Sequence, residues 1–251
     1  MLTFSRFSSL SVRHLAAIAP KPTAFYQRSL FSVKIYTRTG DEGQSGLLDG
    51  SRMSKTSAVF SCLGSLDELN AAIGHSAALA SQIPDHAALV DQLHETQSRL
   101  LDVGASIAAF GGTGEVEDRL RQRVSFPESE VIRLEGWIDV YDDKLPPLTN
   151  FILPTGCTSL LLSSLPIPSN VFSSAPLAAS FHVARGICRR SERDCWHLRE
   201  ENPAAIEGSV LRYVNRLSDY LFTAARWTSL ASGNPDIVYK AARRKKEKTT
   251  E

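Results

Sequence analysis

The sequence predicts an all-α protein, an antiparallel bundle of five helices in one domain. Three observations predict it. Five segments carry apolar residues at three- and four-residue steps, Gly and Pro clusters punctuate them, and no convincing run alternates as strands do.

Residues 1–33 stand before the expected domain. Arg6, Arg13, Lys21, Arg28, Lys34 and Arg38 all precede the first acid, Asp41, in a stretch rich in Ser, Ala, Leu and Phe. That composition is expected of a mitochondrial transit peptide, with a plain disordered basic leader as the alternative. Leu10 to Ile18 is apolar but short and is interrupted by Arg13 and His14, which fits neither a secretory core nor a membrane span.

The domain is expected over residues 34–233. Its first part, Gly40 to Gly50, places four glycines among Thr, Asp and Ser, which is loop chemistry. Ser65-Leu66-Asp67-Glu68 has the spacing of a capping box, and Leu66, Leu69, Ile73 and Ala77 follow on one stripe, so a first helix is expected to open there. A second is expected from about Asp85 to Ala109, closed by Gly111-Gly112. Pro127 with Glu128 and Glu130 makes the first turn of a third, which Pro146-Pro147 stops. The fourth runs from about Leu177 to Glu200 and the fifth from about Ile206 to Ser232, ended by Gly233-Asn234-Pro235.

One segment breaks the pattern. Leu145 to Ala184 contains no Lys, Arg, Asp or Glu, and residues 157–176 hold three prolines and six serines. The stretch is too proline-broken for a helix and too apolar for a comfortable surface loop. Residues 234–251 form a basic tail with Arg243-Arg244-Lys245-Lys246, expected to be a solvated end rather than a nucleic-acid arm.

Composition excludes more than it names. A formal net charge of +1 over 251 residues argues against a chain devoted to nucleic acid. Cys62, Cys157, Cys188 and Cys195 form no CxxC pair, and the six histidines are too scattered for a zinc site.

Two regions can carry chemistry. The loop from Thr37 through Arg38, Thr39, Gly40, Ser45 and Gly46 supplies hydroxyls, a guanidinium and glycines that let backbone N–H groups approach an anion, with Arg52 and Lys55 following. It lacks P-loop spacing, so a plain polar turn is the competing reading. On the fourth helix, His182, Arg185, Arg189, Glu192 and Arg193 share one face, with Arg190 and Ser191 beside them. Guanidiniums spread over about 15 Å can clamp a polyphosphate, and Glu192 can hold one of them or help bind Mg²⁺. A solvated helix face with ordinary ion pairs is the alternative. On the fifth helix, Arg212, Asn215 and Asp219 share a face, and Asn215 is a candidate amide partner for a nucleotide. Asp67 is expected just inside the first helix, favouring its positive end or fixing an arginine elsewhere.

Taken together, Lys34 to Asp41, Leu66-Asp67-Glu68-Leu69-Asn70, Phe151-Ile152-Leu153-Pro154, His182-Val183-Ala184-Arg185, Cys188 to Arg193 and Asn215 to Phe222 resemble the PduO-type cobalamin adenosyltransferases. The six blocks stand in the family's order. The resemblance implies a five-helix bundle that forms a homotrimer, with each active site between neighbouring subunits. It implies transfer of the 5′-deoxyadenosyl group of ATP to the cobalt(I) of a reduced corrinoid, with release of triphosphate. In that scheme Thr37, Arg38, Thr39, Gly40, Ser45, Gly46 and Lys55 wrap ATP. Arg189, Arg190, Ser191, Glu192 and Arg193 take the triphosphate and Mg²⁺, and Asn215 holds the nucleotide. Asp67 pairs with Arg185 across the subunit boundary, making Asp67, Arg185 and Arg189 the catalytic set. Phe151 packs under the corrin and keeps the lower axial ligand away. A corrinoid reductase and a downstream adenosylcobalamin-dependent mutase are the implied partners, and the mitochondrial matrix the implied location. A non-catalytic corrinoid carrier with the same bundle is the competing function, and a plain helical interaction module a third. The departure is residues 157–176, which lengthen the passage from Phe151 to Arg185 beyond the family's habit. They read either as a lineage-specific loop over the corrin pocket or as a translated intron.

Overall fold

The computed structural model describes residues 36, 38–156, 175–234 and 236–241. The leader 1–33, Thr37, the atypical stretch 157–174 and the end of the tail, 242–251, lie outside the described residues. Two compact units divide the chain, Met1–Arg38 and Thr39–Glu251. In the first, the Arg38 guanidinium lies 5.5 Å above the Tyr36 ring, and Arg38 adopts φ 59.

The glycine loop contains a short hairpin that the sequence did not predict. Strands β1 (Gln44–Gly46) and β2 (Arg52–Ser54) pair antiparallel, with Ser45 opposite Met53. Gly43 and Gly50 supply the turns at φ 77 and 82, a region where a Cβ is strained. Three-residue strands are too short to show a period of two, so the segment reads as loop.

Helix α1 (Ala58–Ala80) begins about two turns before the expected start. The Ser65 capping box is therefore a correction. Ser65 is buried in mid-helix, and its hydroxyl donates back to the Cys62 carbonyl at 3.1 Å. Asp67 consequently sits in the helix body, away from the positive end. Helix α2 (Ala87–Phe110) ends at Gly111 as expected, and a short α3 (Asp118–Val124) follows with no buried residue. Then come α4 (Ser129–Asp142), α5 (Ala175–Glu201) and α6 (Gly208–Ala231).

Five long helices thus form the bundle, packed in the order α2, α1, α5, α6, α4. The ring is closed from α2. Gln92 accepts from the hydroxyls of Tyr141 on α4 at 2.8 Å and Tyr220 on α6 at 3.0 Å, and Glu95 pairs with Arg133 of α4 at 2.8 Å. Burial pushes the Tyr141 phenol up to about 12, so it remains a neutral donor to Gln92. Leu69, Ile73, Leu93, Leu134, Phe181 and Leu217 are among the fully buried side chains. Each contributes about 1.5–3 kcal/mol relative to exposure.

The α1–α5 contact is antiparallel and close. Ser191 meets Ser65 and Ser180 meets Ser76, while the Cys62 and Cys195 sulfurs lie 3.2 Å apart as free thiols. Among the described residues, no helix is long and apolar enough to cross a membrane.

Candidate active site on the α5 face

Helix α5 presents its charged residues along one side. Arg189 and Arg193 are exposed, while Arg185 and Glu192 are half-buried against α6. The periodicity that buries Phe181, Ala184, Cys188 and Cys195 fixes this outcome, because the guanidiniums occupy the opposite face. Arg185 stacks over the Phe222 ring with its Cζ 5.1 Å from the centroid, and its buried Nε has no hydrogen-bond partner. Arg193 donates to the Arg189 carbonyl at 2.9 Å, and Arg190 forms an ion pair with Glu68 of α1. Among the described residues, the Arg189 guanidinium enters no hydrogen bond or ion pair.

Beside this face, Asn215 of α6 donates to Glu192 at 2.8 Å and accepts from Arg216, whose Nε reaches Glu135 of α4. A shallow cavity of about 360 Å³ opens here, bounded by Glu192, Trp196, Arg212, Asn215 and Arg216. Asp219 lies one turn on. Burial raises its carboxyl pKa, with Glu192 adding to the rise and Arg216, Arg185 and Arg189 opposing it. Among the described residues, no three His, Cys, Asp or Glu groups converge on a metal position. Glu192 has one oxygen engaged by Asn215, which suits a cation such as Mg²⁺ that brings its own phosphate and water ligands.

The hairpin is held at the α2 end of the bundle. Leu48 N–H donates to the Ala108 carbonyl at 2.9 Å, and the Asp49 carboxylate accepts from the Gly114 N–H at 2.8 Å and from Ser51 at 2.7 Å. A Cβ on Gly112 would overlap that carboxylate, and one on Gly114 would lie 2.6 Å from the Asp49 carbonyl. Arg52, expected to add charge for an anion, instead donates to the Thr39 carbonyl at 2.6 Å and braces the loop. Lys55 runs beside Gly40, where a Cβ would lie 2.9 Å from Nζ. Among the described residues, Ser45, Gly46 and Lys55 make no side-chain hydrogen bond or ion pair with α5 or α6, and Asp67 is exposed and makes none.

Phe151 stands 83% exposed on the segment after α4. Beyond α6 the chain returns to it: Ile152 bridges Val238, and Leu153 N–H donates to the Ile237 carbonyl at 2.8 Å. Residues 237–239, at the start of the expected tail, are therefore part of this edge.

The cobalamin adenosyltransferase family model matches residues 35–228. The chain belongs to this family. It is 38% identical over 207 residues to the corrinoid adenosyltransferase MMAB of Bos taurus, spanning 82% of this chain and 76% of that one. It is also 38% identical to the corrinoid adenosyltransferase of Mycobacterium tuberculosis, spanning 82% and 93%. A solved PduO-type ATP:corrinoid adenosyltransferase variant from Lactobacillus reuteri, complexed with cobalamin and ATP, matches with TM-score 0.66 and 32% identity, over 83% of this chain and 100% of that one.

Within this cobalamin adenosyltransferase family chain, one expected site residue is enclosed between helices. Ser191, grouped with the nucleotide-binding arginines, is fully buried, and its hydroxyl donates to the Ser65 carbonyl at 2.8 Å. That bond fastens α5 to α1. Three residues make contacts for which the sequence suggested no such role. Glu68 fixes Arg190, Asp49 fixes the hairpin, and Arg226 pairs with Asp236. Only Arg226 left a local signal, a lone guanidinium inside Ala224-Ala225-Arg226-Trp227.

Proposed function

We propose that the chain is an ATP:corrinoid adenosyltransferase that transfers the 5′-deoxyadenosyl group of ATP to a cobalt(I) corrinoid and releases triphosphate. The observation that carries this reading is the α5 face, where Arg189 is exposed and uncommitted next to Arg193 and the Glu192–Asn215 pair, in a chain of this family. The cobalt electron pair forms the cobalt–carbon bond. The C5′–O5′ bond breaks, and its electrons leave on the triphosphate. The nucleophile arrives already deprotonated, so no general base is needed, and the protein's work is placement and neutralisation of the departing charge. Arg189, Arg190 and Arg193 meet the polyphosphate, Glu192 shares its Mg²⁺, and Asn215 orients the nucleotide. By the family resemblance, Thr37, Arg38, Thr39, Gly40, Ser45, Gly46 and Lys55 bind the ATP. Phe151 supplies an apolar surface against the lower face of the corrin.

Three features favour completion of the site by a second copy in a homotrimer. Among the described residues, the Arg185 Nε is buried without a hydrogen-bond partner, Asp67 is exposed with no hydrogen bond or ion pair, and the hairpin hydroxyls and Lys55 make no bond to α5. Asp67 of one subunit pairing with Arg185 of the next satisfies the first two together. The basic leader directs the chain to the mitochondrial matrix. A reductase delivering cobalt(I) and a mutase consuming the adenosylated product are its partners there.

The test is incubation with ATP, Mg²⁺ and chemically reduced corrinoid. An absorbance change to the adenosylated product is expected, with triphosphate formed in equal amount. Corrinoid binding without product would replace this reading with that of a carrier.

A further inference from the structure

We propose that Arg226 and Asp236 form a clasp that positions Phe151, which makes them positioning residues for the corrinoid half of the reaction; this rests on the role of Phe151 proposed above. Arg226 is 5% exposed on α6. Its Nε donates to Asp236 Oδ2 at 2.8 Å, and its Nη2 donates to the Pro146 carbonyl, also at 2.8 Å. Those two partners belong to the two chain segments that frame Phe151. Pro146 lies shortly before it on the strand of chain leaving α4. Asp236 directly precedes Ile237, Val238 and Tyr239, which run alongside residues 151–153. Tyr239 N–H donates to the Phe151 carbonyl at 2.8 Å, and Leu153 N–H to the Ile237 carbonyl at 2.8 Å. One guanidinium therefore ties both sides of the Phe151 edge to the rigid body of α6.

Beyond these backbone bonds, Phe151 is 83% exposed, so packing among the described residues does little to set its direction. Beneath the segment lies a cavity of about 220 Å³ between Pro147, Leu148, Ile152, Leu230 and Val238, so packing from below is incomplete. A buried ion pair contributes little net stability, because desolvation cancels much of its attraction, whereas its directional bonds fix geometry. The turn after α6 is prepared for the same purpose. Ser229 hydroxyl donates to the Asn234 carbonyl at 3.0 Å and Asn234 N–H to the Ser229 carbonyl at 3.0 Å, delivering Asp236 to the guanidinium.

The test uses the full chain with Asp236→Asn, Asp236→Glu, Phe151→Ala and the Asp236→Asn/Phe151→Ala double variant. Asp236 is chosen over Arg226 because it is the more exposed partner. Because Asp236→Asn leaves the Arg226 charge buried with the Pro146 carbonyl as a remaining partner, circular dichroism and thermal unfolding of each variant check that the bundle is kept. Asp236→Asn is expected to lower kcat/KM for the reduced corrinoid about tenfold while the KM for ATP stays unchanged. In the cobalt(II) spectrum recorded with ATP present, the fraction with the lower ligand displaced is expected to fall. Asp236→Glu is expected to recover most of both. In the Phe151→Ala background, Asp236→Asn is expected to change either quantity less than about twofold, because its effect runs through the missing ring. Wild-type corrinoid kinetics and spectrum in Asp236→Asn overturn the clasp. So do penalties that multiply in the double variant, or a parallel rise in the KM for ATP. A wild-type chain that binds corrinoid without forming product overturns the transferase reading alone, since the cobalt(II) spectra of the four variants still decide the clasp.

Discussion

Arg189 and Ser191 lie two residues apart on α5 and have opposite surroundings, one in solvent with no partner, the other sealed between helices. Arg189→Ala removes a charge-assisted contact of about 1.5–3 kcal/mol and is expected to cut turnover by about a hundredfold with the fold intact. Ser191→Ala removes a buried hydroxyl and is expected to cost about 1 kcal/mol in urea unfolding while the KM for ATP holds. The pair of measurements separates ligand contact from helix fastening. His182 carries the pH signature of the same helix. Burial pushes its imidazole below the usual 6.5, Arg185 adds to the fall, and Asp236 opposes it. The unfolded chain therefore takes up the proton first, so the stability His182 contributes is full above the unfolded value and is lost as pH falls through the folded one. Unfolding measured from about pH 7.5 to about pH 5.5 should show a steeper loss for wild type than for His182→Gln.

Among the elements, α2, α5 and α6 were legible to within two residues at their described ends, because their apolar stripes are long and Gly or Pro stops them. Helix α1 was not. Ser65-Leu66-Asp67-Glu68 imitates a helix start, whereas the true start at Ser57 has no side-chain cap to announce it. The hairpin escaped for a second reason. Its anchor, Asp49 to Gly114, joins residues 65 apart in the chain, and no local pattern records such a bond. Asp49 is expected to act on the whole element. Asp49→Ala frees the turn from the end of α2, so the KM for ATP should rise severalfold in steady-state assays while the KM for corrinoid is retained.

At the scale of the molecule, the arginine face was readable from residue spacing, and the resemblance of its blocks to the family suggested the polyphosphate role proposed above. Spacing alone did not suggest how that face is completed, because the proposed Asp67–Arg185 pairing lies between two chains; only the family resemblance implied it. Asp67 and Arg185 provide the check. Asp67→Ala and Arg185→Ala proteins, each expected to be nearly inactive, should regain activity when dissociated, mixed and reassembled, because some interfaces then carry both intact partners. Activity that stays at the level of the parents after mixing would place the pair within one chain.

The crowding of Gly112 and Gly114 against Asp49 reaches beyond packing. Three positions, two of them more than sixty residues from the third, form a single steric unit. A side chain at residue 112 evicts the carboxylate, and the loss of the carboxylate removes the reason for the glycines. Random mutagenesis of the hairpin alone therefore meets a hidden partner outside it, and a transplanted hairpin stays in place only if the glycine turn after α2 travels with it.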